Sequence, residues 1–277
     1  MTTPTEAEPA SIRHATLMRG VPVRAIDWAR ARAALRILVA DPDRTDQVFE
    51  IVRALSGRAD VRNFRDLLRH PDGGALLREQ PSLLAALSDR AALARLPEGS
   101  LGRAYLAFMV TADLSAAGLV DASMQGEEEA RDGFSEEARW FFDRLRDQHD
   151  LWHVLTGYGR DEAGEAANLA FTYAQIGNAG IGLIVLVAAI LGPRGEWFSW
   201  QRYLFRAWRR GKRARWLPAA RWEDLLALPL AEVRARLGIE APEVAHPDGV
   251  VVANRGDLMP NERRRLDRML GQTTPGR

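Results

Sequence analysis

The sequence predicts an all-α fold built as a single multi-helical domain, and three observations predict it. From Asp27 onward, apolar residues recur three and four positions apart along most of the chain, the period of a helix with one buried face. Strand-like alternation is scarce, GVVVAN at 249–254 being the main instance. No segment carries a Rossmann or P-loop glycine signature. A chain of 277 residues can bury one large core, and nothing in it repeats at a fixed period.

The elements follow in order. Residues 1–20, made of Thr, Pro, Glu and Ala without periodicity, are expected to be disordered; residues 21–240 form the helical domain and 241–277 a C-terminal extension. The first helix puts Trp28, Ala31, Leu35 and Leu38 on one face and breaks at Asp41-Pro42, because proline restricts the residue before it and lacks an amide hydrogen. The second carries Val48, Ile51, Val52 and Leu55 and stops before Gly57. Short helices fit 60–69, 74–79 and 82–94, separated by Pro71, Pro81 and Pro97. A core helix runs from Gly102 to about residue 117. The next starts at Ser135, a capping residue followed by Glu136 and Glu137, and continues through Trp140, Phe141 and Leu145 to about Leu155. Gly157 and Gly159 end it, and Asp161 caps a further helix with Glu165 in its first turn. The most apolar run, 179–191, is too short for a bilayer, which takes roughly 20 residues of helix, so a buried helix is expected there.

Composition narrows the chemistry. Lys plus Arg number 38 against 37 Asp plus Glu, so no global charge favours nucleic acid. Cysteine is absent, which excludes disulfides, thiolate metal ligands and a cysteine nucleophile. Lys212 is the single lysine and alanine is abundant, a bias associated with GC-rich bacterial coding. Residues 1–20 hold no apolar core for a secretory signal, and Glu6 and Glu8 precede the first basic residue, unlike a transit peptide. The expected location is the bacterial cytoplasm, peripheral to the inner membrane.

The chemistry concentrates in HDLWHVLTGYGRDEAGE, residues 149–165, which holds two of the five histidines. On one helix His149 and His153 are one turn apart on one face, and Asp150, three residues before His153, borders it. A short return loop would bring Glu165 back over that face. The result is a nitrogen and oxygen donor set at a helix-loop-helix junction, suited to Zn²⁺ first and acceptable to Fe²⁺ or Mn²⁺. A solvated polar helix end would show the same residues, and a metal hydrolase would use the same motif.

The segment resembles the HDxxH(x11)E signature of the Coq-four family of coenzyme Q (ubiquinone) biosynthesis proteins, at His149, Asp150, His153 and Glu165, with Gly164 preceding the glutamate. LPEGSLGRAYLAFM from Leu96 and RRGKRARWLPAARWEDLLALPLAEVRARLGI from Arg209 are similar to other parts of that family, so the resemblance spans about residues 30–240. It implies that the four residues hold a divalent metal. It also implies an enzyme, a metal-dependent carbon–carbon lyase that removes the C1 carboxylate of a polyprenylated 4-hydroxybenzoate, by simple decarboxylation or with a hydroxyl taking its place. The implied partners are that prenylated precursor, other ubiquinone-biosynthesis enzymes, a membrane surface and a second copy of the chain in a homodimer, with no nucleic acid. A non-catalytic lipid-binding scaffold that organises the other enzymes is the competing reading.

A prenyl tail needs an apolar groove. Residues 166–191 could wall one, with Gly177, Gly180 and Gly182 leaving room, or the same glycines could serve close helix packing. Residues 196–216 combine Trp197, Trp200, Tyr203, Trp208 and Trp216 with seven basic residues; Trp197, Trp200, Leu204 and Trp208 make an apolar stripe beside an arginine face. Such a helix fits a membrane interface, or a core helix with a solvated basic side.

Overall fold

The computed structural model describes residues 10–41, 44–111, 132–191, 197–240, 244–245 and 251–252. The fold is all-α as the periodicity predicts, with a two-residue strand pair, Val244–Ala245 against Val251–Val252, of which the second lies in the stretch where alternation was expected. The remainder of the C-terminal extension, the end of the helix expected to reach residue 117 and the side chain of Trp197 lie outside the described residues.

The first half is a series of short helices. Helix α1 (Ala10–Arg19) stands within the segment expected to be disordered. Its Leu17 and Met18 pack on a cluster of Val21, Phe64, Leu67 and Phe141, contacts too few for a period to reveal. Helix α2 (Trp28–Ala40) is capped by Asp27, whose carboxylate accepts from the Arg30 amide at 2.9 Å. It buries Ala31 and Ala34, while Trp28, placed by spacing on the inner face, is exposed. Then come α3 (Thr45–Ala54), α4 (Ala59–Arg69) and α5 (Gly73–Glu79). The helix expected over 82–94 is two, α6 (Leu83–Ser88) and α7 (Arg90–Arg95), because Asp89 leaves helical geometry and its side chain caps α7 through the Ala92 amide.

The second half builds the core around one short helix. Among the described residues helix α8 (Leu101–Thr111) is followed by α9 (Glu136–Asp147), which Ser135 caps as expected. The single helix expected from 135 to 155 is interrupted at Gln148, a fully buried residue whose amide lies 3.5 Å from the Pro218 carbonyl. Helix α10 (His149–Thr156) therefore stands alone, and every residue from Asp150 to Thr156 is buried. Packed with it are α11 (Glu162–Ile176), α12 (Ala179–Leu191) and α13 (Trp197–Arg213), followed by a 3₁₀ turn (Leu217–Ala219), α14 (Trp222–Leu225) and α15 (Leu230–Leu237). Leu151, Trp152 and Leu155 of α10 meet Tyr105 and Met109 of α8, Ala167 and Phe171 of α11, and Trp200, Tyr203 and Leu204 of α13 in one apolar cluster. Each fully buried side chain of that size contributes about 1.5–3 kcal/mol.

The glycines report close packing. A Cβ on Gly180 would lie 2.5 Å from the Ile51 carbonyl of α3, and one on Gly182 would lie 2.8 Å from the Tyr173 ring. Gly177 ends α11 with φ +59° against the Arg62 guanidinium. The room they leave is filled by protein. On α13 the buried side is Trp200, Tyr203, Leu204, Ala207 and Arg210, which moves the inner face by about one residue from the expected stripe; Trp208 is only partly buried. Among the described residues no helix is long and apolar enough to cross a membrane.

The C-terminal end of α10 is held by arginines from two other helices. Arg234 of α15 donates to the carbonyls of Leu155 (2.8 Å) and Val154 (2.9 Å), and Arg210 of α13 donates to that of Thr156 (2.9 Å). Gly157, with φ 76°, returns its amide to the His153 carbonyl at 2.8 Å. Those last carbonyls have no helical partners of their own, and the negative end of the helix favours a cation.

Candidate metal centre

The loop from Gly157 to Asp161 folds α11 back over α10. The Asp161 side chain accepts from the Gly164 amide at 2.9 Å, which starts α11 and sets Glu165 in its first turn. Gly164 is required there, since a Cβ would collide with the backbone of Gly159. Glu165 thereby comes to rest beside both histidines, as the spacing predicts.

His149, His153 and Glu165 each offer one ligand atom, and these atoms all lie within 4.8 Å of one another. The Nε2 atoms of His153 and His149 stand 3.4 and 3.8 Å from Glu165 Oε2. Both rings are oriented by their other nitrogen. His153 Nδ1 faces the Tyr158 carbonyl at 3.0 Å; a carbonyl can only accept, so that nitrogen carries the hydrogen. His149 Nδ1 faces Asp150 Oδ1 at 3.3 Å, with the same consequence. Two imidazole lone pairs and a carboxylate oxygen therefore converge with no hydrogen between them, and His153 Nε2 is buried without a hydrogen-bond partner. Such a set is short of positive charge, which a proton or a cation can supply.

Electrostatics agree. Burial would push His149 down, but the hydrogen bond to Asp150 and the charge of Glu165 overcome it and raise the imidazole above its usual value. Burial would push the carboxyls of Asp150 and Glu165 up; the histidines beside them hold both below the usual range.

The four residues read from sequence are adjacent but differ in placement. Asp150 is buried behind His149, on its Nδ1 side, while the other three face one another. The structure adds residues that the motif does not contain. Phe108 of α8 stacks on the His153 ring at 5.7 Å, and the exposed Arg160 lies over Phe108 at 5.6 Å. Asn168, one turn beyond Glu165, places its Nδ2 3.5 Å from His149 Nε2. An i,i+3 relation to Glu165 was the available signal for Asn168. Nothing local in sequence marks Phe108, which reaches the site only through tertiary packing.

Comparison with known proteins finds relatives named for ubiquinone biosynthesis. A family model described as "Coenzyme Q (ubiquinone) biosynthesis protein Coq4" matches residues 28–243. Over 204 residues the chain is 31% identical to the "Ubiquinone biosynthesis protein coq4, mitochondrial" of Pyrenophora tritici-repentis, covering 73% of this chain and 68% of that one. It is 32% identical over 215 residues to the "Ubiquinone biosynthesis protein COQ4 homolog, mitochondrial" of Danio rerio, with 74% and 73% covered. A crystal structure from Nostoc punctiforme, of a protein whose description ties it to ubiquinone biosynthesis, shares the fold with a TM-score of 0.54 and 22% identity, covering 78% of this chain and 100% of that one. The names of the two curated relatives correct the expected location in the bacterial cytoplasm at the inner membrane, because both are mitochondrial. That expectation rested on arginine bias and on residues 1–20, features that carry nothing about where residues 28–243 work.

Proposed function

The chain belongs to the coenzyme Q (ubiquinone) biosynthesis protein family Coq4, and from that premise we propose that its histidine–glutamate cluster is a metal centre for removing the C1 carboxylate from a polyprenylated 4-hydroxybenzoate. Work in ubiquinone biosynthesis is common to its relatives. The observation that carries the finer reading is His153: its Nδ1 is committed to the Tyr158 carbonyl, and its buried Nε2 has no partner while facing Glu165 at 3.4 Å.

The residues fit a divalent cation. Ligand atoms about 2.0–2.1 Å from a tetrahedral centre lie about 3.3 Å apart; Glu165 stands at 3.4 Å from His153 and, more loosely, at 3.8 Å from His149, with all three ligand atoms within 4.8 Å of one another. His149, His153 and Glu165 would hold the metal, with Asp150 orienting the ring of His149 from its far nitrogen, a common arrangement around metal-bound histidine. Zn²⁺ suits the donor set first, and Fe²⁺ or Mn²⁺ also fit. When bound, the metal supplies a Lewis acid for the substrate carboxylate and the developing electron density of the ring. Phe108 gives the His153 side of the site an aromatic wall. Exchange of the carboxylate for hydroxyl, rather than for hydrogen, requires an oxidant, and dioxygen is the natural class. Other enzymes of ubiquinone biosynthesis are the partners on either side of this step.

The test is genetic and chemical. In cells lacking their own member of the family, this chain restores ubiquinone, and His153→Ala instead accumulates a carboxylated, prenylated phenol, read by mass spectrometry. Normal ubiquinone from His153→Ala would remove the metal centre from the reaction and leave a lipid-presenting scaffold as the better reading.

A further inference from the structure

The loop between α10 and α11 presents an arginine beside the cluster. Gly157, Tyr158 and Gly159 are buried, and the Tyr158 carbonyl faces His153 Nδ1 at 3.0 Å. Gly159 approaches Gly164 so closely that a Cβ on the latter would meet its carbonyl oxygen at 2.2 Å, and Asp161 is fixed by its cap on the Gly164 amide. Arg160, set between these two pinned residues, is exposed. Its guanidinium carbon lies 5.6 Å from the centre of the Phe108 ring, and Phe108 in turn stacks on His153 at 5.7 Å. Burial acts most strongly on His149, Asp150 and Glu165, yet the charge of Arg160 is felt at all three. Among the described residues, however, its guanidinium makes no hydrogen bond and no ion pair.

That choice of neighbour is informative because carboxylates are at hand. An arginine that served only to steady the loop would take Glu165, whose side chain is 36% exposed; instead Glu165 Oε2 faces the two imidazoles at 3.4 and 3.8 Å. Surface arginines are commonly left in water, and exposure alone would assign Arg160 no role. This one is held by a backbone fixed on both sides and by an aromatic ring, where the cluster opens to solvent along His149 and Glu165 while His153 is sealed. A guanidinium carries five donors in a planar fork, which matches a carboxylate with two parallel hydrogen bonds.

Resting on the decarboxylation reading above, we propose that Arg160 receives the carboxylate of the aromatic substrate. The carboxylate is anionic before the carbon–carbon bond breaks and leaves as neutral carbon dioxide, with the electron pair remaining on the ring. A contact to it is therefore stronger in the bound substrate than in the transition state, so Arg160 acts on the selection of the carboxylated molecule more than on the bond-breaking step. The product has lost the group that Arg160 holds, which favours its release.

Ligand binding tests this without turnover. Zn²⁺-loaded protein is titrated calorimetrically with 4-hydroxybenzoate bearing a geranyl chain, and with the geranylated phenol that lacks the carboxylate. Wild type binds the carboxylated ligand at least about 10-fold more tightly than the phenol. Arg160→Gln loses about 10-fold for the carboxylated ligand and less than about 2-fold for the phenol, and Arg160→Lys, which keeps the charge without the fork, recovers only part. Zn²⁺ affinity is unchanged in Arg160→Gln and its melting temperature falls by no more than about 3 °C, since only an exposed contact with Phe108 is lost. Equal weakening of both ligands, or a preference fully kept in Arg160→Gln, overturns the assignment of Arg160 and leaves the histidine–glutamate centre in place. Wild type that binds Zn²⁺ but shows no preference for the carboxylated ligand overturns the substrate reading and the assignment together. Wild type that binds no Zn²⁺ yet shows a preference that Arg160→Gln abolishes overturns the metal reading and supports Arg160.

Discussion

Helix α10 is eight residues long, and its two ends are built on opposite principles. At the C-terminal end the carbonyls of Val154, Leu155 and Thr156 each receive a hydrogen from a guanidinium, and Gly157 closes the turn. Burial and the nearby Arg210 push Arg234 down to about 10, still charged at neutral pH, so both cations complement the helix dipole. At the N-terminal end, acceptors face acceptors: two imidazole nitrogens look at one carboxylate, with an amide oxygen unpaired beside them. One end lowers the free energy of the fold, and the other leaves acceptors facing one another without a donor between them. A helix this short is marginal alone, so the satisfied end holds the unsatisfied one in place.

The largest effects expected from breaking the two ends differ in kind. Arg210→Met leaves the Thr156 carbonyl without its donor and should lower stability by about 2–3 kcal/mol, while Zn²⁺ affinity of the folded protein changes less than about 10-fold. His153→Ala should lower Zn²⁺ affinity more than about 100-fold, with a smaller loss of stability in the metal-free protein. Calorimetric unfolding and Zn²⁺ titration on the same samples read both. If Arg210→Met loses metal as completely as His153→Ala does, the two ends are one cooperative unit and the contrast fails.

Gly164→Ala tests the joint between the ends. The new Cβ meets the Gly159 backbone, so the loop must move and carry Glu165 with it. A loss of about 2 kcal/mol in stability and a clear fall in Zn²⁺ affinity should appear together. Stability lost with affinity intact would show that Glu165 finds its place without the tight loop.

This division also explains what could be read in advance. The N-terminal end was legible because its chemistry is local: His149 and His153 are one turn apart, and Asp161 and Gly164 announce the return that delivers Glu165. The C-terminal end was not, because Arg210 and Arg234 lie more than fifty residues downstream and look like any solvated basic residues. The break at Gln148 was missed for a related reason: nothing in the local pattern interrupts the helix, and the residue is buried against a turn seventy residues away. Helices with a long apolar period, such as those starting at Trp28 and Ser135, were placed well at their starts. Helix α1 was missed since its few contacts, Leu17 and Met18 on the Val21 cluster, come from tertiary packing. Glycines at 177, 180 and 182 were ambiguous in sequence because room for a ligand and room for a neighbouring helix demand the same residue.

The smallest expected effect makes the finest cut between the two ends. Asp161 caps α11 through the Gly164 amide and also places a negative charge at the start of that helix. Asp161→Ala should remove both, costing about 1 kcal/mol, or a fall of about 2–4 °C in melting temperature for a chain of this size. Asp161→Asn keeps the hydrogen bond and loses only the charge, so it should recover most of the difference. In neither variant should Zn²⁺ affinity fall more than about 3-fold, because Glu165 remains fixed by the approach of Gly164 to Gly159 and by the Glu165 amide on the Asp161 carbonyl at 2.9 Å. A drop in affinity well beyond that, with the melting temperature barely moved, would mean that the cap aims Glu165, and that satisfied and unsatisfied groups are interleaved within one turn.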